Sequence, residues 1–166
     1  MKKLVLPLFL MACMAASGQV YQKGSKFVNV GVGLSPGIGV IGTLDLGVHE
    51  AVSVGVFGSY QTWGLFGALN YGRIGVGGRA DYHLAKILKD ANVSINTDKI
   101  DPYLGANVGV GIYTGSFGSL FTKNIWPIIG GHLGVRYMTK EKLGFFGEVG
   151  YDVSYLKAGV TMKLGK

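Results

Sequence analysis

The sequence is short of cysteine, charge and proline, and each shortage excludes a class of protein. Its single cysteine, Cys13, lies in an apolar N-terminal stretch, so the rest of the chain offers no thiols for disulfides or a thiolate metal site. Charged residues are 15% of the chain, against about 25% in soluble domains. Only 4 prolines accompany 29 glycines, without a repeat period, which argues against collagen and against disorder. The chain of 166 residues suits one unusually apolar domain.

The first 18 residues have the layout of a secretory signal peptide. A basic start at residues 1–3 precedes an apolar run over residues 4–16. The small residues Ala16 and Gly18 stand at positions −3 and −1 of a cleavage site between Gly18 and Gln19. The run is too short to span a bilayer as a helix. We therefore expect residues 1–18 to be a cleaved signal peptide and residues 19–166 to be one exported domain.

Cys13 leaves a second form of export open. The residues Leu10-Met11-Ala12-Cys13 loosely resemble a lipoprotein cleavage box, which would leave a lipidated Cys13 as the first residue of the mature chain. Lipoproteins usually continue with polar residues, whereas Met14-Ala15-Ala16 continues the apolar run. We therefore favour the ordinary signal peptide.

Beyond the N-terminus, hydrophobic residues recur with period two, and no apolar run reaches 18 residues. Valine, isoleucine and leucine alternate with glycine or polar residues in eight runs, most of about ten residues or more. The runs cover residues 28–35, 38–49, 52–61, 73–84, 104–113, 125–137, 145–152 and 156–164. Short turns and three longer connections, near residues 62–70, 85–100 and 114–124, separate them. The pattern predicts one all-β domain of eight antiparallel strands.

The composition of the two strand faces indicates where the apolar side points. A soluble barrel or sandwich would present a charged face to water, but here the polar face is largely glycine. In a bilayer a sheet must close on itself to pair all its backbone groups, and strands of about 9–11 residues reach across. We therefore predict an eight-stranded antiparallel up-and-down transmembrane β-barrel. Aromatic residues near the strand ends are expected to form interfacial girdles: Tyr60, Tyr82, Tyr103, Tyr137, Phe145 and Tyr151.

Four segments make the chain similar to the small outer-membrane β-barrel domain proteins of Gram-negative bacteria. They are Phe27-Val28-Asn29-Val30-Gly31-Val32-Gly33, Gly77-Gly78-Arg79-Ala80-Asp81-Tyr82-His83, Asp101-Pro102-Tyr103-Leu104-Gly105 and Tyr155-Leu156-Lys157-Ala158-Gly159-Val160. The resemblance covers essentially the whole mature chain and specifies architecture better than activity. It implies insertion by the outer-membrane assembly machinery and contact with outer-membrane lipid and lipopolysaccharide.

A set of charged residues falls on the inward face of the predicted strands. An eight-stranded barrel is just wide enough for side chains to fill, and buried charges must pair. We therefore predict an interior polar network with a structural role, and a gated proton or ion path is the functional alternative. Its members are Arg73, Arg79, Asp81, Arg136, Glu148, Asp152 and Lys157.

The connections near residues 62–70 and 114–124 are rich in glycine, aromatics and leucine. If the N-terminus lies in the periplasm, counting strands places both outside the cell. Exposed apolar loop residues indicate contact with lipid, glycolipid or a partner, and simple interfacial anchoring explains them equally well. The candidate contacts are Trp63, Phe66, Phe117 and Phe121.

Other motifs have structural explanations. Residues 37–42 match a dinucleotide fingerprint, but the following residues alternate as a strand and not as the helix that would hold a pyrophosphate. His49, His83 and His132 are far apart in sequence, and metal sites need three or four convergent ligands. The lysines are scattered, which is unlike a nucleic-acid surface. We therefore expect no catalytic residues, cofactor, metal or nucleic acid.

The leading hypothesis is a non-enzymatic integral outer-membrane barrel, structural or mediating surface contact through its extracellular loops, without an open solute pore. One alternative is an outer-membrane lipid-modifying enzyme, for which Ser116 or Ser119 with His132 is the conceivable pair. The other is a soluble lipid-binding barrel, whose interior would be less rich in glycine and charge.

Overall fold

The computed structural model describes residues 19–35, 37–63, 71–93, 95–115 and 125–165. Eight strands join neighbour to neighbour into a closed antiparallel barrel, which confirms the predicted fold. The strands are β1 Lys26–Leu34, β2 Ile38–Gly47, β3 Val52–Trp63, β4 Tyr71–His83, β5 Ile100–Gly115, β6 Ile125–Met138, β7 Leu143–Tyr151 and β8 Leu156–Gly165. The predicted signal peptide, residues 1–18, and Cys13 lie outside the described residues.

The barrel closes where the first strand meets the last. Val30 of β1 stands opposite Gly42 of β2 on one side and opposite Val160 of β8 on the other. Each strand therefore has two hydrogen-bonding neighbours, which removes the free edges that an open sheet would have.

Aliphatic side chains lie on the outside of the barrel and charged ones on the inside. Ile129 is 74% exposed and Val108 is 63% exposed, whereas Arg136 is fully buried. A soluble protein has the reverse distribution. This finding also argues against the soluble lipid carrier, which would keep an apolar calyx inside and a charged surface outside.

Glycines on the inward face make room for the larger side chains across the lumen. A Cβ added to Gly134 would overlap the Tyr103 ring, lying 2.5 Å from its Cε2 atom. A Cβ on Gly105 would lie 2.6 Å from His132 Nε2. The high glycine content thus follows from filling a narrow barrel with bulky polar and aromatic groups.

The two ends of the barrel differ. The end at which β1, β3, β5 and β7 finish is called the loop end. The opposite, N-terminal end is where β1 starts and where β2, β4 and β6 finish. A short helix, α1 (Ala85–Asp90), lies in the turn between β4 and β5, where only a connection was expected.

The position of Tyr103 differs from expectation. It was expected in an outer girdle, but it is fully buried in the lumen, because Leu104 takes the outward position of β5. The other predicted girdle residues do point outward, between 40% and 73% exposed.

Within the described residues, no helix is long and apolar enough to cross a membrane.

Candidate functional site

The centre of the lumen is organised around Arg79 of β4. Its guanidinium group lies 3.0 Å from the Asp81 carboxylate and 2.8 Å from Glu148 of β7. Asp45 of β2 approaches its Nε atom at 3.3 Å. All four groups are almost completely buried. Three carboxylates from three strands thus converge on one cation, which ties opposite walls of the barrel together.

Arg136 of β6 forms a second centre nearer the N-terminal end. It contacts Asp45 at 2.5 Å and Asp101 of β5 at 3.1 Å. Its guanidinium carbon lies 4.8 Å from the ring centre of Phe27 and 4.4 Å from that of Tyr103. The aromatic rings provide cation–π contacts in a site that water cannot reach. Because Asp45 contacts both Arg79 and Arg136, the two centres form one network.

Lys157 of β8 and His132 of β6 extend the network toward the loop end. The Lys157 ammonium lies 2.7 Å from Glu148 and 2.6 Å from Asp152. His132 Nε2 faces Asp81 at 2.9 Å, and its Nδ1 lies 3.1 Å from Asp152, although that N–H does not point at the oxygen. Burial alone would raise the pKa of Asp152, but the adjacent His132 imidazole and Lys157 ammonium together lower it. Asp152 is therefore ionised at neutral pH.

His83 of β4 completes the network at the N-terminal end. Its Nδ1 lies 2.8 Å from Asp101, and its Nε2 lies 3.0 Å from the Ser53 hydroxyl. The two partners lie on β3 and β5, the strands on either side of β4. The polar groups of this buried imidazole are thereby satisfied.

The sequence-predicted interior residues are placed in the lumen or at its mouth. Arg79, Asp81, Arg136, Glu148, Asp152 and Lys157 belong to the continuous network described above. Arg73 lies instead at the loop end, where it donates to Gln61 Oε1 at 2.5 Å and to the Val153 carbonyl at 2.7 Å.

The prediction omitted several members of the network. Asp45, His83 and Asp101 are each 1–2% exposed and contact the named cations or carboxylates. The sequence did contain the pattern that places two of them inside. His83 follows Arg79 and Asp81 at intervals of two residues, so it lies on the same face of β4, and Asp45 alternates with the outward Leu44 and Leu46. Five of the nine acidic residues lie inside the barrel: Asp45, Asp81, Asp101, Glu148 and Asp152.

At the loop end the turn between β7 and β8 folds into the mouth of the barrel. Val153 and Ser154 are 1% and 2% exposed. The Gln61 amide donates to the Val153 carbonyl at 2.7 Å and also bonds to the Ser154 hydroxyl. Together with the Arg73 bond to Val153, these contacts hold the turn across the lumen. We call residues 152–154 the turn plug.

At the N-terminal end the chain before β1 closes the lumen. The Tyr21 ring stacks on His83, with ring centres 3.3 Å apart and planes 8° apart. Its hydroxyl donates to the carbonyls of His49, at 2.9 Å, and Val52, at 2.5 Å. Burial, with a smaller contribution from the Asp101 carboxylate, raises the pKa of the Tyr21 hydroxyl. We call residues 20–25 the N-terminal plug.

One group in the lumen has the composition of a metal site. His132, Glu148 and Asp152 each place a ligand atom within 4.8 Å of the others. The Lys157 ammonium occupies the position between the two carboxylates, at 2.7 and 2.6 Å. A fixed cation of the chain itself already provides the compensation that a metal ion would supply.

The remaining sequence candidates are distributed as follows. Phe66, Phe117 and Phe121 lie outside the described residues, as do Ser116 and Ser119. Trp63 is the last residue of β3, and its side chain also lies outside the described part. The glycine motif at residues 37–42 runs into strand β2. His49 lies in an exposed turn, whereas His83 and His132 are buried.

Comparison with protein-family models finds no match, and neither does comparison with curated protein sequences. Solved structures do match. The N-terminal β-barrel domain of Pseudomonas aeruginosa OprF aligns with a TM-score of 0.58 and 12% identity, over 87% of this chain and 100% of that chain. Yersinia pestis outer membrane protein Ail aligns with a TM-score of 0.55 and 10% identity, over 86% and 100%.

A chain from a study on the de novo design of transmembrane β-barrels also aligns, with a TM-score of 0.55 and 15% identity, over 87% of this chain and 98% of that chain. At such low identities the similarity concerns the fold. The chain therefore has the eight-stranded fold of outer-membrane β-barrels.

Proposed function

We propose that this protein is an integral outer-membrane barrel that conducts no solutes, catalyses no reaction and holds its loop end at the cell surface. The observation that carries the proposal is a lumen filled by compensated charges and closed by a plug at each end, inside an aliphatic wall. Such a molecule is a rigid membrane anchor whose loops are the parts available for contacts outside the membrane.

The aliphatic wall supports the membrane location. Outward side chains such as Val30, Val56, Val108 and Ile129 are 57–74% exposed on the isolated chain. Monomeric soluble proteins expose only small apolar patches. An apolar belt around the outside of the barrel therefore indicates contact with lipid or with a partner. The closed hydrogen-bonding of all eight strands satisfies the backbone requirement of the bilayer.

The arrangement of the turns supports an orientation with the loop end outside. Strands β3 and β5 end, and β4 and β6 begin, at the loop end, whereas β1 begins and β8 ends at the other. An exported chain that enters from the periplasm leaves its termini there when the strand number is even. The predicted contact residues Trp63, Phe66, Phe117 and Phe121 belong to or flank the connections between β3 and β4 and between β5 and β6, so they are the proposed surface that meets lipid, lipopolysaccharide or a partner.

The filled lumen supports the absence of a solute path. Arg136 and Lys157 are 0–1% exposed and each contacts carboxylates from other strands. A sugar-sized solute would have to break several buried ion pairs, and each buried charge left without its partner costs several kcal/mol. These contacts support the structural role that the sequence analysis assigns to the network.

The membrane location is tested by carbonate extraction and by heat-modifiable gel mobility of the full chain. We expect the protein to stay in the carbonate-resistant pellet and to migrate differently before and after boiling. Release by carbonate would contradict the proposal.

The closed lumen is tested by liposome swelling in sugar solutions, with an open general porin in matched liposomes as the positive control. We expect swelling no faster than in empty liposomes. Mass spectrometry of membrane lipids with and without the protein is expected to give the same lipid species. Sugar influx would refute the closed lumen, and a new lipid species would refute the non-enzymatic role.

A further inference from the structure

Two small outward residues interrupt the aliphatic wall on one side of the barrel. Gly147 of β7 stands opposite Ala158 of β8 and, on its other side, opposite Val135 of β6. Val135 in turn stands opposite Pro102 near the start of β5. Because directly opposite residues lie on the same face of a sheet, these four residues form one outward row that is lowest at Gly147 and Ala158. The space over this row is called the wall groove.

Larger side chains border the wall groove on both sides. Those toward the loop end are aliphatic, and two of the three toward the N-terminal end are aromatic. The first row is Leu133, Val149 and Leu156, and the second is Tyr137, Phe145 and Val160. All six are between 42% and 58% exposed. The groove measures about 580 Å³ and has an apolar lining, and sites for small molecules commonly measure about 300–1,000 Å³.

The wall groove runs obliquely from the N-terminal end toward the loop end. Pro102 is the third residue of β5, which starts at the N-terminal end, whereas Ala158 is the third residue of β8, which starts at the loop end. This slope follows from the tilt of about 35–45° that strands have in a barrel. The groove therefore begins near one membrane surface and continues into the hydrocarbon region.

Two lysines lie at the N-terminal opening of the wall groove. The Leu84 N–H donates to the Pro102 carbonyl at 2.8 Å, so the connection that carries Lys86 starts at this opening. The Lys99 carbonyl accepts a bond of 2.7 Å from the Met138 N–H, which places Lys99 at the same corner. Both lysines are exposed, and neither forms an ion pair with a residue that the structure describes.

The surroundings of these lysines are positive as a whole. The connection at residues 84–99 and the turn at residues 139–142 together contain five lysines and three acidic residues. Clusters of basic residues beside a membrane attract anionic lipid head groups. The apolar groove thus opens where the chain offers charge of the sign that a phosphate needs.

We propose that the wall groove binds one anionic phospholipid of the periplasmic leaflet. One acyl chain lies in the groove over Gly147 and Ala158, and the phosphate lies against Lys86 and Lys99. The inference rests on the proposed membrane location and orientation.

The position of the lysines favours a phospholipid over a second copy of the chain. Two copies in one membrane have the same orientation, and a twofold interface places the same surface of each against the other. Lys86 and Lys99 of both copies would then meet at one edge of the contact, where like charges repel. A phospholipid brings the opposite charge to this place and fills the apolar groove with its chain.

The test uses the folded full chain in neutral maltoside micelles, titrated with dioleoylphosphatidylglycerol and observed by native mass spectrometry. We expect saturable binding of one lipid per barrel. Gly147→Leu fills the groove without changing charge and should weaken binding at least about tenfold. A Cβ on Gly147 meets no atom closer than 3.9 Å, so the new side chain has room to point outward. Gly58→Leu, at an outward glycine of β3 with nothing within 4 Å of its Cβ, is the matched control and should bind like the unaltered protein.

The head group is tested through its charge. Lys86→Gln combined with Lys99→Gln should weaken binding at least about tenfold. Lys23→Gln combined with Lys26→Gln removes the same charge at the same end, beside β1 on the opposite side of the barrel, and should change binding little. Dioleoylphosphatidylcholine should bind more weakly than the anionic lipid, and equal affinity would refute an anionic site.

The remaining arms separate the lipid from other occupants. Glycerol 3-phosphate alone should not bind, and saturation by it would overturn the role of the acyl chain. A dimer that Gly147→Leu dissociates would show that a second copy occupies the groove. Equal lipid binding by the unaltered protein and by a Gly147→Leu variant that keeps its heat-modifiable mobility would refute the proposal. Protein that resists carbonate extraction but binds no phosphatidylglycerol would refute the lipid site alone and leave the membrane location intact.

Discussion

The two ends of the lumen are closed by different means. The turn plug at the loop end is covalently tied to β7 and β8 and is held by the side chains of Gln61 and Arg73. The N-terminal plug runs directly only into β1, and it is held by the Tyr21 ring stacked on His83 and by backbone bonds from Val20 to Thr97 and from Gly24 to Gly47. A loop that is anchored at both ends loses less entropy on ordering than a free segment of similar length. The N-terminal plug should therefore open first.

The ion network lies between the two plugs. Its disruption should lower the free energy of unfolding more than a change in either plug. Glu148→Gln leaves Arg79 and Lys157 without their shared carboxylate, so we expect the free energy of unfolding to fall by about 3–5 kcal/mol. Urea unfolding in detergent, followed by tryptophan fluorescence, measures it. Glu141→Gln, in an exposed turn, is the matched control and should change stability little. An equal effect of both substitutions would show that the network contributes nothing.

Removal of the N-terminal plug's anchor should come next. Tyr21→Ala loses the stack on His83 and two hydrogen bonds, which we expect to cost about 2–3 kcal/mol. Hydrogen exchange should speed up for the amides of Val20 and Gly24, whose bonds to Thr97 and Gly47 belong to the plug. The turn plug should keep its protection, and simultaneous loss of protection at both ends would show that the plugs are not independent.

The corresponding change at the loop end should be smaller. Gln61→Ala removes bonds to Val153 and Ser154 but leaves the Arg73 bond to the Val153 carbonyl, so we expect a loss of about 1–2 kcal/mol. The Ser154 amide should exchange faster, while Val20 should remain protected. A larger loss for Gln61→Ala than for Tyr21→Ala would reverse the proposed order of opening.

The smallest effect should appear at high pH. Because the pKa of Tyr21 is raised on folding, its contribution is complete below the unfolded pKa of about 10 and is lost as pH rises through the folded value. Tyr21→Phe should cost about 1 kcal/mol at pH 8, and the difference from the unaltered protein should shrink above pH 10. Unfolding midpoints at pH 8 to 12 measure this. A difference that does not change with pH would mean that Tyr21 ionises equally in both states.

The network shows how much of the site was predictable. Arg79, Asp81 and Glu148 could be placed inside because alternation assigns a face to every residue of a strand. The same rule applied to Asp45 and Asp101 would have added them. Alternation could not reveal that Arg73 binds the turn plug, since that depends on how far up the barrel each strand places its residues.

Features outside regular strands were not predictable in this way. Tyr21 precedes the first strand, and no periodicity relates it to His83, which lies 62 positions along the chain. The unequal lengths of β6 (Ile125–Met138) and β7 (Leu143–Tyr151) are a matter of strand ends, which are the least certain part of a sequence pattern. The helix α1 has six residues and none of them is buried. It therefore has no apolar face whose spacing could have predicted it from the sequence.

By itself the sequence determined the number of strands, their antiparallel order and which face of each is aliphatic, because these follow from a period of two residues and from the turns between runs. Only the tertiary structure decided which charges meet and what closes the lumen. Those features depend on the register of eight strands around a closed cylinder, and register joins residues that are distant along the chain.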